Sequence, residues 1–541
     1  MLQHVRDGMM GKIFPQLSPQ QPDRNQPPLS HRNSSQRSLS ARTLTSAGWV
    51  IAWRIIVRVI GFFSTLILAR LLTPEDFGLV ALGLSFSTGL DAFSYFGIQD
   101  ALIREKTLDK KMYDTAATLN VVRGIVTAGL IAGIAYPAAA YLDEPRLVEV
   151  IGALGLGVLV STFESMGLLD FRRNLDFRTE FVLTVVPRLT GNICVIAIAA
   201  IWHSYWALII GTLVMRSART VLSYFMHPYR PAFSLDAWRR IAGFSFWTWA
   251  MGVAVLVRDR SDSIIVGRLL GTADVGIFSL ASEVATLPTS ELVEPLTHVL
   301  FPGFSAVRNT GGDVGDPYMR AIALAFMVTV PAGLGVSLIA KPLVLLLLGP
   351  TWIQAIPLVQ IIAFAGILKV ITAISTTAFR ADGIPKITFF VTCIAALLRI
   401  ALVVALTARF GLVGGAIGTV MAVTLEEIAF LIVGFRRYCI APAQLLRDTW
   451  RILLASAAMA IVLYATGLGW TQVDPDLWVL IPHLLAACLL GAVIYGSVLY
   501  VTWKLSGRPD GAESYVLRLI TALLERTVTK LGLPGFARRR G

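Results

Sequence analysis

The chain has 541 residues, 55% of them apolar and only 15% charged, with a net charge of +13 and a mean hydropathy of +0.69. A water-soluble chain of this length would divide into several domains with charged surfaces, whereas long apolar runs joined by short loops mark the membrane class. In that class a basic excess first means cytoplasmic loops, which disfavours nucleic acid as a partner.

Taken in order, residues 1–45 have no apolar core of the kind a cleavable signal peptide needs, so none is expected. Pro15, Pro19, Pro22, Pro27 and Pro28 among Ser, Gln and Arg predict a disordered basic tail. Fourteen apolar segments follow, at 46–70, 78–98, 116–141, 147–169, 180–201, 204–226, 242–267, 276–300, 319–340, 354–378, 387–408, 411–435, 448–469 and 479–503. Each is long enough to cross about 30 Å of hydrocarbon. The apolar stretch 342–348 is too short to span and is read as a partly inserted connector before Gly349-Pro350-Thr351-Trp352. In 514–532, Val516, Ile520, Leu523, Leu524 and Leu531 form a helical stripe with Arg518, Arg526 and Lys530 off it. That pattern predicts a basic amphipathic helix on the membrane surface.

The loop charges fix an orientation. With the N-terminus inside, 18 Lys and Arg fall in cytoplasmic loops, against five outside: Arg70, Arg146, Arg268, Lys341 and Arg409. One span too many or too few would scramble this asymmetry, so it supports fourteen spans with both termini cytoplasmic.

The phrase Arg70-Leu71-Leu72-Thr73-Pro74-Glu75-Asp76-Phe77-Gly78 returns 198 residues later as Arg268-Leu269-Leu270-Gly271-Thr272-Ala273-Asp274-Val275-Gly276. Arg, Leu, Leu, Asp and Gly match without a gap, which is an internal duplication. Six spans separate the copies, an even number, so the halves insert with the same orientation, as parallel repeats do. The expected fold is an all-α integral membrane protein of about 14 transmembrane helices. Two parallel six-helix lobes, 46–226 and 242–436, are related by a pseudo-two-fold axis and joined by a cytoplasmic linker, 227–241. Two additional peripheral helices occupy 437–503, and 504–541 is a cytoplasmic tail.

Ionisable groups inside apolar segments carry the functional signal. An Arg at mid-helix costs at least about 2.5–3.5 kcal/mol on insertion scales, so it normally faces protein or a water-filled cavity. Arg54 and Arg58 share a face of the first span, and Arg258, Asp259, Arg260 and Asp262 cluster in its counterpart, the seventh. Arg123, Glu164, Arg188, Glu283 and Arg399 also fall within or near spans. Arg216, Glu291, Glu294, Lys369, Glu426 and Glu427 lie where they could snorkel to the headgroups. Asp262 could neutralise Arg258 as a structural pair, or temper the charge of a cavity. The expected substrate-binding residues are Arg54, Arg58, Arg258, Arg260, Asp262 and Glu283, around an anionic cargo whose phosphates the planar Arg fork suits.

No Walker A, HExxH, GxSxG or Gly-rich nucleotide loop occurs, and the longest outside loop runs only from Gly469 to Pro482. Cys194, Cys393, Cys439 and Cys488 have neither metal-ligand nor CxxC spacing. Neither catalysis, a cofactor nor a metal site is expected.

The segments Arg70–Gly78, Gly97-Ile-Gln-Asp-Ala-Leu-Ile103 and Leu300-Phe-Pro-Gly-Phe-Ser305 resemble Wzx-type flippases of the colanic-acid-exporter kind. These belong to the polysaccharide transporters of the multidrug/oligosaccharidyl-lipid/polysaccharide exporter superfamily. The resemblance covers about 45–440, and the last two spans less specifically. It implies two six-helix lobes forming a V, a basic lumen, and outward flipping of undecaprenyl-diphosphate-linked oligosaccharide repeat units for exopolysaccharide, lipopolysaccharide or capsule assembly. It also implies a bacterial inner membrane location, contact with membrane lipids, and a polysaccharide polymerase and export machinery as partners. The family's luminal arginines have no fixed motif, so the candidate residues rest on charge alone. A cation-coupled antiporter of the multidrug type would want carboxylates in the lumen, and Asp259, Asp262 and Glu283 keep that reading open. A membrane enzyme of polysaccharide assembly is disfavoured by the short outside loops.

Overall fold

The computed structural model describes residues 56–93, 102, 109–173, 176–238, 246–470, 476–509 and 511–514. All the regular elements among them are helices. The predicted tail helix at 514–532, the N-terminal tail and Arg54 lie outside the described residues, apart from position 514.

Helix α1 covers 56–71. It is followed by α2 (Pro74–Phe93), α3 (Lys110–Leu142), α4 (Leu147–Thr162), the short α5 (Leu169–Arg173), α6 (Phe177–Trp202) and α7 (Trp206–Met226). The second set comprises α8 (Phe246–Leu270), α9 (Thr272–Asn309), α10 (Gly315–Leu338), α11 (Ala340–Leu347), α12 (Ala355–Leu368), α13 (Val370–Ala381) and α14 (Pro385–Arg437). Helices α15 (Pro442–Ala465) and α16 (Leu477–Leu505) close the described chain. Among the described residues eight helical stretches, counting the folded α14 once, are long and apolar enough to cross a membrane.

Local chemistry sets several ends. Asp109 caps α3 by accepting from the Met112 N–H at 2.9 Å, and Asp476 caps α16 through Trp478 at 3.1 Å. Two expected boundaries differ. The segment 147–169 is a continuous helix only to Thr162, after which Ser165–Leu168 makes a tight turn. The segment 354–378 is two helices meeting at Lys369. The expected segments 387–408 and 411–435 are the two arms of α14, a pair of helices folded back at Gly411, whose φ of 60° and ψ of −143° a side chain would strain. Its two arms then run back against each other so closely that a Cβ at Gly414 would lie 2.0 Å from the Leu406 carbonyl oxygen. Small residues at helix contacts are how helices associate in lipid, where burial of apolar surface supplies little drive. The connector 342–348 forms part of α11, with Val344 fully buried.

Packing partners fall largely into two sets. Helices α2, α3, α4, α6 and α7 contact one another through α2–α4, α3–α4, α4–α7 and α6–α7. Helices α8, α9, α10, α12, α13 and α14 do so through α8–α14, α9–α12, α9–α13, α10–α12 and α12–α14. The sets meet through α2 against α9 and α8. Helices α15 and α16 pair and lean on α10. A shared core of Leu79, Leu82, Ile151, Val266, Val275 and Trp352 sits where the two copies of the repeated phrase come together.

That end of the bundle is closed by polar contacts as well. The Trp352 indole N–H donates to the Ala69 carbonyl at 2.8 Å, and Arg70 donates to the Leu346 carbonyl at 2.9 Å. Arg268 pairs with Asp143 at 3.0 Å. All three join the first helix set to the second.

Candidate functional site

Two clusters of charge lie at mid-helix. The first gathers Arg58 of α1, Arg188 of α6 and Glu283 of α9. The Arg58 Nη2 donates to Ser290 Oγ of α9 at 3.4 Å. Arg188 lies beside Gly61, one turn beyond Arg58, with its Nη2 3.6 Å from where a Gly61 Cβ would be. Glu283 is within electrostatic range of both arginines. All three are accessible to solvent although protein surrounds Arg188 and Glu283. Charged groups that stay accessible while partly enclosed by protein border a space between helices rather than a dry core.

The second cluster is internally compensated. Arg258 donates to Asp259 at 2.9 Å and to Glu426 at 2.6 Å. Arg399 grips Asp262 in a two-pronged pair, 2.9 Å and 2.5 Å, and Thr419 Oγ1 donates to the same carboxylate at 3.1 Å. Arg399 is 6% exposed and Asp262 4%. Lys369 stands at the α12–α13 break within range of Arg399, Asp259, Arg258 and Asp262.

The two clusters divide the sequence-derived candidates. Arg58 and Glu283 come together. Arg258 and Asp262 belong to the second cluster, and Asp262 is bound by Arg399 rather than by Arg258. Arg260, half-buried on α8, has no ion pair among the described residues. Glu426 and Glu427 do not snorkel: they are 5% and 2% exposed, inside the helix bundle. Lys369 is at a helix end, but one in the middle of the apolar stretch Ala355–Ala381 rather than at its edge. The side chains of Glu291 and Glu294 lie outside the described residues. Arg188 was visible in the sequence as an ionisable residue in a span. Nothing in the primary structure linked it to Arg58, because only folding brings α6 against α1.

A cavity of about 490 Å³ lies within the first helix set, with α8 touching it at Gly252, toward the end opposite the repeated phrase. Thr88 and Asp91 of α2, Arg123 of α3, Glu164 after α4, Arg219 of α7 and Gly252 of α8 line it. Asp91 pairs with Arg123 at 3.0 Å and Glu164 with Arg219 at 2.9 Å. Among the described residues no group of three His, Cys, Asp or Glu side chains could hold a metal ion.

An all-helical bundle of apolar spans with charged side chains brought together among them fits a membrane transport protein. The comparisons agree. A family model described as "Polysaccharide biosynthesis protein" matches residues 67–357, which takes in both copies of the repeated phrase, and the chain belongs to that family. The Escherichia coli K12 lipopolysaccharide biosynthesis protein WzxC is 26% identical over 336 residues, covering 61% of this chain and 68% of that protein. The succinoglycan biosynthesis transport protein ExoT of Rhizobium meliloti is 24% identical over 61% of this chain and 68% of its own length. Among solved structures, the lipid II flippase MurJ in an inward closed conformation matches with a TM-score of 0.67 at 15% identity, covering 84% of this chain and 99% of that one. An inward-facing multidrug transporter of the MATE family gives 0.59 at 15% identity, over 71% and 94%. The last two are likenesses of fold.

Proposed function

We propose that this protein flips undecaprenyl-diphosphate-linked oligosaccharide repeat units from the cytoplasmic to the periplasmic leaflet of a bacterial inner membrane. It does so by alternating access through a basic cavity between two six-helix lobes. Spans one to six (46–226) form one lobe and spans seven to twelve (242–436) the other, parallel repeats about a pseudo-two-fold axis joined by the linker 227–241. The pair in 437–503 is peripheral, and both termini, with the tail 504–541, are cytoplasmic. The repeated phrase then faces the periplasm, with its contacts closing that end. The flipped units would pass to a polysaccharide polymerase and export machinery.

The observation that carries this reading is the meeting of Arg58, Arg188 and Glu283 from three helices of both sets, with all three side chains left accessible. Arg58 and Arg188 bring two guanidiniums together beside the Glu283 carboxylate, and the Arg fork donates two parallel hydrogen bonds to phosphate. Arg54, one turn before Arg58 in sequence, extends the same face, and Arg260 is the available cation of the equivalent helix α8. Arg258 contributes to holding α8 against α14, because two carboxylates already bind it. Glu283 tempers the site so that the diphosphate can leave. With the inside negative, outward movement is favoured by about 2.3 kcal/mol per negative charge per 100 mV, so no nucleotide is needed. The antiporter reading loses its main support, since Asp259 and Asp262 are taken by arginines.

Cells carrying Arg54→Ala with Arg58→Ala should hold normal amounts of the protein and make little surface polysaccharide. Full export by that double variant would overturn the proposal. Reporter fusions after Arg172 and Arg436 should report cytoplasm and one after Asp474 the outside; an external signal at Arg436 would remove the fourteen-span layout.

A further inference from the structure

Arg58 and Arg188 both come from the first half of the chain. Arg258, in the second half, is held by Asp259 and Glu426. Lys369 is a cation of the second half with no hydrogen bond and no ion pair among the described residues. It is exposed although protein surrounds it. It stands twelve residues from the nearer end of the apolar stretch Ala355–Ala381. At about 1.5 Å per residue that is roughly 18 Å, too deep for the side chain to snorkel out.

The charges around Lys369 are engaged with others. Asp262 is gripped by Arg399, and Glu426 by Arg258. Asp259, 46% exposed, opens to the solvent too, but it pairs with Arg258 and stays within electrostatic range of Lys369 rather than in contact. Glu427, beside Thr372, is only 2% exposed. An unpaired cation at that depth costs at least about 2.5–3.5 kcal/mol on insertion scales unless water or an anion meets it.

Helix α9 sets the position of Lys369 relative to Arg58. The Arg58 Nη2 donates to Ser290 Oγ at 3.4 Å. The preceding residue, Thr289, packs against Gly366 of α12, where a Cβ would lie 2.5 Å from the Thr289 Oγ1. Gly366 is three residues before Lys369, a rise of about 4.5 Å. Arg58 and Lys369 therefore flank one turn of α9 at nearly the same depth.

The break at Lys369 also has a counterpart. The fourth apolar segment of each half is discontinuous, 147–169 after Thr162 and 354–378 at Lys369. Interrupted helices in corresponding places of two repeats are where transporters bind cargo, and a half-helix N-terminus favours an anion. The first break carries Glu164, which Arg219 holds at 2.9 Å. The second carries a lysine that nothing holds.

We infer that Lys369 is a cargo-binding residue, the second half's contact with the phosphates that Arg58 and Arg188 hold from the first. The inference rests on the flippase reading. An ammonium is a compact charge on a flexible stem with three rotatable donors. It can keep a phosphate oxygen while the two helix sets move relative to each other, which a rigid fork cannot.

The test uses the whole protein in lipid nanodiscs, titrated with a short-chain polyprenyl diphosphate and, as control, the polyprenol of the same length. Lys369→Gln should bind the diphosphate about tenfold more weakly than the wild type, the loss of one hydrogen bond to a charged group. Lys369→Arg should restore most of that binding, and polyprenol binding should not change in either variant. Contact is read separately on the wild type with a water-soluble amine-acylating reagent and mass spectrometry. Lys369 should be acylated in the free protein and protected severalfold by the diphosphate but not by the polyprenol. If the diphosphate does not bind the wild type, the flippase reading falls and this inference with it. If it binds but Lys369 is never acylated, is acylated equally with and without it, or can be changed to Gln without loss of binding, the role of Lys369 alone is overturned.

Discussion

Gly78 packs against Thr272, and its duplicate Gly276 packs against Pro74. A Cβ at Gly78 would lie 1.7 Å from the Thr272 carbonyl oxygen, and one at Gly276 would lie 1.8 Å from that of Pro74. Pro74 and Thr272 occupy the same place in the two copies of the phrase. Each copy therefore supplies the glycine that lets the other copy's helix start approach. The duplication is a contact of the sequence with its own repeat.

Gly78→Ala and Gly276→Ala should each destabilise the protein by about 1–3 kcal/mol, because backbone at both sides leaves the methyl no room. Gly129→Ala, where a Cβ meets nothing within 4 Å, is the control. Thermal unfolding in detergent checks this: a melting temperature unchanged in the first two variants contradicts the close approach.

Arg399 and Asp262 should be coupled in stability. Removing one partner of a buried pair costs about 3–5 kcal/mol, since the other charge is stranded, while replacing both with apolar groups of similar size is often near neutral. Arg399→Ala should thus melt well below the wild type, and Arg399→Leu with Asp262→Leu should recover most of the loss. Additive losses in the double variant would show that the two groups do not depend on each other.

Closure at the phrase end should be adjustable. Trp352→Phe deletes the donor to Ala69, and Arg268→Ala deletes the partner of Asp143. Together they should shift the population toward a form open at that end. A cysteine placed at Ala69, now 2% exposed, should then label at least severalfold faster. Unchanged labelling would mean that these contacts do not hold the end shut.

Much of the helical layout was legible because lipid demands long apolar runs and the phrase repeats without a gap. What was not legible was pairing. Charge patterning put Asp262 next to Arg258 because they are one turn apart. Folding instead brought in Arg399, 137 residues away, whose fork meets the carboxylate squarely. Lys369 and Glu427 looked able to reach the headgroups because hydropathy cannot reveal a break at Lys369 or that Glu427 is turned into the bundle. Arg188 belonged to the site only once α6 lay against α1.

The turn between α3 and α4 should respond to acid. Arg146 hydrogen-bonds Glu144 and holds its carboxyl below its ordinary value of 4.5. A depressed carboxyl contributes stability above the unfolded value, and this is lost as pH falls through the folded one. For a partly exposed pair the effect is at most about 1 kcal/mol. Melting of the wild type should therefore drop more than that of Glu144→Gln when pH is lowered from 6 to below 4; parallel drops would remove the pair from the account.

The most direct measurement is flipping itself, in sealed vesicles holding the purified protein and a defined undecaprenyl-diphosphate-linked sugar. Arg58→Ala with Arg188→Ala should melt like the wild type and flip at least tenfold more slowly, and Arg58→Lys, which keeps the charge but loses the fork, should fall between Arg58→Ala and the wild type. Flipping at the wild-type rate by the Arg58→Ala, Arg188→Ala protein would contradict the assignment of these arginines to the diphosphate.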